Sequence, residues 1–160
     1  LKPFHESHQQ GARVTTVRLD SFLSHSHIGA VTFLKSDAEG FDLPVLRTFP
    51  WDELHPLAVV CEFENRKTAP LGYTYEDIAS YLVDLGYTVF TSEWYPIVQY
   101  GAVHRWRGVN RYPCALADEQ GWGNLVAVAP HLAKVTERAL QRAGRRLAIR
   151  RQVNRLTAAR

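Results

Sequence analysis

The residues of this chain best suited to chemistry are acids placed where apolar runs end. Asp37 and Glu39 follow the run Ala30-Val-Thr-Phe-Leu-Lys35, while Glu62, Glu64 and Asn65 close the run Leu57-Ala-Val-Val-Cys-Glu-Phe63. A carboxylate at the lip of an apolar element can take a proton from a hydroxyl, or hold a divalent cation that acidifies that hydroxyl. Asp37, Glu39, Glu62 and Asn65 offer the oxygen donors that a hard cation such as Mg²⁺ takes. No metal site is assigned from them, and a divalent cation stays one of two options beside a bare carboxylate base. A plainer role competes with both. Acids favour helix N-termini, so Glu39 and Gly40 can cap a helix that begins near Phe41, and Glu62 can pair with Lys35 across a sheet.

The elements that must position these acids are read from hydrophobic patterning. Arg13-Val-Thr-Thr-Val-Arg-Leu-Asp20 alternates with β-branched residues and predicts a strand, after which Asp20 and Ser21 start a short turn carrying Phe22 and Leu23. Residues 30–35 predict a parallel strand buried on both faces, and residues 41–49 a short helix that accommodates Pro44 in its first turn. Residues 57–63 predict a second buried strand. A strand, helix and strand in this order give a right-handed parallel crossover. Adjacent strands lie about 4.8 Å apart, so both acid groups should reach one cleft beyond the strands' carboxyl ends. Thr74 with Asp77 resembles a capping box, and Ile78, Tyr81, Leu82 and Leu85 recur at helical spacing until Gly86. A further strand begins at residues 87–91, with 96–100 extending it or adding a short one. Residues 124–129 predict a last strand, antiparallel to its predecessor because no helix-length pattern lies between the two.

Between Gly101 and Gly123, Arg105, Arg107 and Arg111 interleave with Trp106, Tyr112 and Trp122. Sugars stack on aromatic faces and arginine forks anionic groups, so this stretch can line an acceptor pocket, with His104, Arg105 and Trp106 joining Glu64 and Asn65 as contacts. A hairpin packed over the sheet by its own aromatics explains the same residues equally well. His25 and His27 sit in a loop with no third ligand near them in sequence, which argues against a metal there.

The segment Leu34-Lys-Ser-Asp-Ala-Glu-Gly-Phe-Asp-Leu-Pro-Val-Leu46 resembles the FkbM-family pattern LKxDxEGxExxVL. It is preceded by Val17-Arg-Leu-Asp-Ser-Phe-Leu23, similar to the family's TLDSFL element, and followed by Val59-Val-Cys-Glu-Phe63, similar to its second acidic strand end. The resemblance covers roughly Val14 to Pro130 and departs at Asp42, where the family usually has Glu. It implies a methyltransferase dependent on S-adenosylmethionine that O-methylates a sugar, polysaccharide or related natural product. From their place at the strand ends Asp37, Glu39 and Glu62 are the catalytic candidates and Asp37 and Gly40 the candidate donor contacts, with Gly40 better suited to the backbone turn than to any contact; the resemblance implies a small molecule or glycan as acceptor. Such an enzyme also needs a glycine-rich turn after its first strand for the donor's methionine moiety. Upstream of Asp20 only Gly11 is present. The chain, which starts at Leu1, is therefore expected to be a C-terminal part of the enzyme, with the donor-cradling half elsewhere. The fold expectation is α/β: part of a Rossmann-like methyltransferase sheet, with parallel strands and a final antiparallel one, over residues 13–130. A polar segment at residues 1–12 and a basic amphipathic helical tail at 131–160 flank it.

Composition narrows the remaining classes. With 160 residues, 46% of them hydrophobic, the chain suits one folded domain, and no apolar run approaches the roughly 18 residues that cross a bilayer. Cys61 and Cys114 show no CxxC spacing, so Cys61 reads as a buried strand residue, and a reducing, cytoplasmic setting is the expectation. The net charge of +3 hides an asymmetry: residues 131–160 carry nine Lys or Arg against Glu137, while the rest carries −5. That tail supports an alternative reading, a non-catalytic binding module whose basic helix contacts nucleic acid, an anionic membrane or a partner protein.

Overall fold

The computed structural model describes residues 11–99 and 103–158, with side chains described as far as residue 147. Most of the polar segment at 1–12, residue 100 of the 96–100 run, and the side chains of residues 148–160 in the basic tail lie outside the described residues.

Among the described residues five strands form one mixed sheet. Strands β1 (Phe33–Ser36) and β2 (Ala58–Glu64) run parallel and are joined through helix α2 (Asp42–Leu46); α1 (Leu19–His25) precedes them. After β2 come the single turn α3 (Asn65–Thr68), helix α4 (Tyr75–Asp84), strands β3 (Thr88–Trp94), β4 (Trp106–Arg111) and β5 (Trp122–Val128), and helix α5 (Ala133–Ala158). The spatial order is β1-β2-β5-β3-β4. β5 slots between β2 and β3 and is antiparallel to both, as expected for a strand reached without a crossover helix. That insertion leaves β2 and β3 pointing the same way, so their carboxyl ends share a rim with that of β1. The stretch before β5 that could not be divided from sequence holds β4, an antiparallel hairpin partner of β3 at the edge of the sheet.

One sheet face packs the core. Val59, Cys61 and Phe63 of β2, Val89 of β3, and Leu125 and Ala127 of β5 are buried against Leu43 and Leu46 of α2 and Ile78 and Leu82 of α4. The capping box at Thr74 forms, with its backbone N–H donating to Asp77 Oδ2 at 2.7 Å. Cys61 is fully buried, as a structural thiol in a strand should be. β5 needs a glycine where it meets β3: a Cβ on Gly123 would sit 1.9 Å from the carbonyl oxygen of Ser92.

Three expectations fail, the first two for want of a neighbour. Residues 13–20 form no strand; Val14 and Val17 are 75% and 62% exposed, and an alternating pattern forms no ladder without a strand beside it. The chain instead enters α1 at Leu19, tied down where the N–H groups of Leu19 and Asp20 reach the Thr48 hydroxyl and carbonyl. β1 is not buried on both faces, since it pairs only with β2 among the described residues and leaves Phe33 56% exposed and Lys35 exposed. Residues 96–99 do not extend β3. The tail is helical, and Gly144 of α5 lies against the Trp106 indole so closely that a Cβ there would be 2.6 Å from the ring. No helix among the described residues is long and apolar enough to cross a membrane.

Candidate active site

The parallel register Ser36 to Cys61 sets the ends of β1 and β2 side by side, so Asp37 and Glu62 emerge next to each other. Immediately after β1 the chain reverses tightly. Glu39 and Gly40 both take left-handed backbone, with φ of 51° and 93°, the first unusual for a residue with a side chain. Asp42, 1% exposed, fixes this turn: its Oδ1 accepts from the Ser36 hydroxyl at 2.6 Å and from the Ala38 N–H at 3.1 Å. The buried Tyr73 hydroxyl donates to the Gly40 carbonyl from the far side. Glu39 makes no capping hydrogen bond to α2, whose N-cap Phe41 has no side-chain cap bond.

Glu39 turns instead toward α3. The Lys67 ammonium bonds Glu39 Oε2 at 2.5 Å and lies 2.9 Å from Glu64 Oε2 and 3.7 Å from Glu62 Oε2. Arg66 holds the other oxygen of Glu64 at 2.7 Å. Lys35 pairs with Asp37 at 2.6 Å and not with Glu62, the partner expected for it, because the hop along the strand end is shorter than the diagonal reach to Glu62. Single carboxylate oxygens of Asp37, Glu39 and Glu62 all lie within 4.8 Å of one another, an arrangement that one cation can bridge.

Burial pushes the Glu62 carboxyl up to about 7, with the nearby Asp37, Glu39 and Asp42 adding to it and Lys67 opposing. Desolvation outweighs the ion pair here because 3.7 Å is a long contact. For Lys67 burial disfavours the charge, but the hydrogen bonds to Glu39 and Glu64 and the field of Glu62 win, and its pKa lies above the ordinary value. The rim thus carries a firmly charged ammonium beside a carboxyl that titrates near neutrality, the range suited to a general base.

The other sequence candidates divide. Asn65 is engaged by α4, its Oδ1 accepting the Tyr75 N–H at 2.8 Å and so anchoring the start of that helix. Glu64 is buried between Arg66 and Lys67. Further along the same rim and on the same sheet face, Glu64 is paired with Trp122, Trp122 with Trp94, and Trp94 with Trp106. The indoles of Trp94 and Trp122 stack at 5.6 Å, the His104 ring meets Trp122 edge-on at 5.2 Å, and the guanidinium groups of Arg105 and Arg107 lie over Tyr95 at 4.4 and 4.2 Å. Trp106 donates through its indole to the Ser92 hydroxyl. Trp106 therefore shares the rim with the acids but belongs to its other end, three strand spacings or roughly 14 Å from Glu64, while His104 reaches back to Trp122, the ladder partner of Glu64.

A family model described as the methyltransferase FkbM domain matches residues 2–89, more than half of the chain. The chain belongs to the FkbM methyltransferase family. The match takes in β1, α2, β2, α3 and α4, and with them every acid of the rim, and it stops at the start of β3, short of the aromatic end. Curated proteins and solved structures gave no match.

Sequence reasoning missed Lys67 and underrated Asp42. Glu64 and Lys67 are three residues apart, the spacing that makes neighbours on a helix, so the pair was visible once a helical turn was assumed after β2. Asp42 read as a side chain one methylene shorter than the family's Glu; nothing in its spacing announced that it is buried under the turn.

Proposed function

We propose that the chain is the acceptor-side part of a methyltransferase dependent on S-adenosylmethionine, acting on a hydroxyl of a sugar, polysaccharide or related natural product. The observation that carries this reading is the meeting of Asp37, Glu39 and Glu62 within 4.8 Å at the carboxyl rim of two parallel strands, with Glu62 titrating near neutrality. The rim is chemically suited to a positively charged sulfonium, since Asp37, Glu39, Glu62 and Glu64 all bring carboxylates to it. Asp37 would hold it, and when bound it supplies the methyl group; Gly40, whose carbonyl accepts from Tyr73 and whose Cα faces Lys67, serves the turn instead. Glu62 takes the acceptor's proton. Glu39, fixed by Lys67, keeps the rim's carboxylates spread, while Glu64 and Asn65, with their side-chain oxygens already engaged, position the chain that bears them. His104, Arg105 and Trp106, with the stacked pair Trp94 and Trp122, offer an aromatic and cationic lip on which a sugar ring can rest.

The outer edge of β1 supports a donor-holding half outside this chain. No strand pairs with that edge among the described residues, and Phe33 of β1 is exposed, as are Phe22 and Ile28 in the segment that leads to it. Isothermal titration of this chain with S-adenosylmethionine should give no measurable heat of binding, and a submillimolar affinity would place the donor site within it. For the chemistry, transfer of a labelled methyl group by the protein in its full reading frame should fall about 10²- to 10⁴-fold in kcat on Glu62→Gln. A loss below tenfold would remove Glu62 as the base.

A further inference from the structure

We infer that Lys67 is the resident cation of the acid rim, occupying the position a divalent metal ion would otherwise take. Size is the first reason. Ligand oxygens on opposite sides of one divalent ion stand about 4–5 Å apart, twice an ordinary metal to oxygen distance. The oxygens of Asp37, Glu39 and Glu62 fall within 4.8 Å of one another and meet that condition. An ammonium group already stands against two of the three, while Asp37, the third, is held by Lys35 at 2.6 Å. The Lys67 nitrogen is 2.5 Å from Glu39 and 3.7 Å from Glu62, and its contact with Glu64 at 2.9 Å ties the cluster to the buried end of β2.

The backbone is shaped to deliver it. Lys67 leaves α3 against the turn after β1, and a Cβ on Gly40 would lie 3.0 Å from the Lys67 Cβ and 3.3 Å from its carbonyl oxygen. Gly40 thus serves two ends: it takes the left-handed backbone of the turn, and its bare Cα lets α3 close on the rim. The Lys67 side chain is 12% exposed, so its charge acts on the carboxylates with little screening. A compact ammonium with three donors suits three carboxylates better than a planar guanidinium does, and the exposed Arg66 beside it pairs with Glu64. Taken with the reading of the rim as a methyl-transfer site, this makes Lys67 a positioning residue: it fixes the spacing of Glu39, Glu62 and Glu64, and leaves proton removal to a carboxylate without a metal ion.

Removing the ammonium should turn the rim into a metal site. Mn²⁺ titration followed by electron paramagnetic resonance reads this directly and needs no methyl transfer, so its outcome is separate from that of the enzymatic reading. The unaltered chain should hold no Mn²⁺ below the order of 10⁻³ M, the weak end of biological oxygen sites. Lys67→Ala should bind one ion at least tenfold more tightly. Lys67→Arg, which keeps a cation, should behave as the unaltered chain does, and Glu39→Gln with Glu62→Gln in the Lys67→Ala background should abolish the gained site. Lys67→Met retains the stem that packs on Gly40 and should gain Mn²⁺ in the same direction, covering the case in which the alanine variant does not fold. Tight Mn²⁺ binding by the unaltered chain, no gain in a folded Lys67→Ala or Lys67→Met variant, or a gained site that survives loss of Glu39 and Glu62 would each overturn the inference.

Discussion

The raised pKa of Glu62 makes folding stability depend on pH in a direction opposite to that of an ordinary salt-bridged acid. Burial lifts the carboxyl from 4.5 to about 7, so the folded state holds this proton more tightly than the unfolded chain does. The stability it contributes is present in full below pH 4.5 and is lost as the pH rises through about 7. At about 1.4 kcal/mol per pH unit, that gap is worth on the order of 3 kcal/mol. The side chain is 14% exposed, so solvent screening takes little of it. Glu62 is faced by Lys67 from α3, Asp37 and Glu39 from the turn after β1, Asp42 from α2 and Lys35 from β1. All of these remain in Glu62→Gln, so the difference between variant and unaltered protein isolates this one group. Urea unfolding of both from pH 4.5 to 8 should show the variant gaining about 3 kcal/mol relative to the unaltered chain across the interval. A carbon-13 titration of the Glu62 carboxyl should find its midpoint near 7. If the difference stays flat within about 0.5 kcal/mol, which is the scatter between independent sites, Glu62 ionises as a solvated acid does and is not the base. In the active enzyme the same group should give kcat/KM an ascending limb near pH 7, absent from Glu62→Gln.

Two further outcomes test how the rim is held. Asp42→Ala leaves the Ser36 hydroxyl and the Ala38 N–H without their buried acceptor and should cost about 2–4 kcal/mol in denaturant unfolding, while Asp42→Asn, which keeps one acceptor oxygen, should recover most of it. Equal losses in both variants would show that charge and not hydrogen bonding fixes the turn. Gly123→Ala places a methyl 1.9 Å from the Ser92 carbonyl oxygen and should force β5 away from β3, costing about 3 kcal/mol or more and lowering the melting temperature; an unchanged melting temperature would contradict the close approach of the two strands.

Much of the parallel half of the fold can be read from local pattern. The apolar runs ending at Lys35 and Phe63, the short helix between them and the capped helix from Thr74 are each specified by their own residues, and each exists. The acids at the ends of β1 and β2 could be placed on one rim because a parallel crossover permits little else. The antiparallel sense of the last strand was legible in the missing helix before it. Patterning failed where an element's state depends on what lies beside it. Residues 13–20 alternate as a strand should, yet no strand pairs with them among the described residues, and the run 30–35 is mostly apolar, yet among the described residues its strand β1 stands at an edge.

Which acids this chain would present, and on which strands, was settled by the order of residue types along it, because strand periodicity and turn chemistry act over a few positions. How those acids behave was settled only by folding. Lys67 lies 28 residues from Glu39 and touches it because Gly40 leaves room for α3. Glu62 titrates near neutrality because folding buries it beside acids from remote segments, and Trp106 reaches the same rim because β5 inserts between β2 and β3. Charge, burial and distance between remote segments are properties of the packed chain, and local spacing carries no record of them.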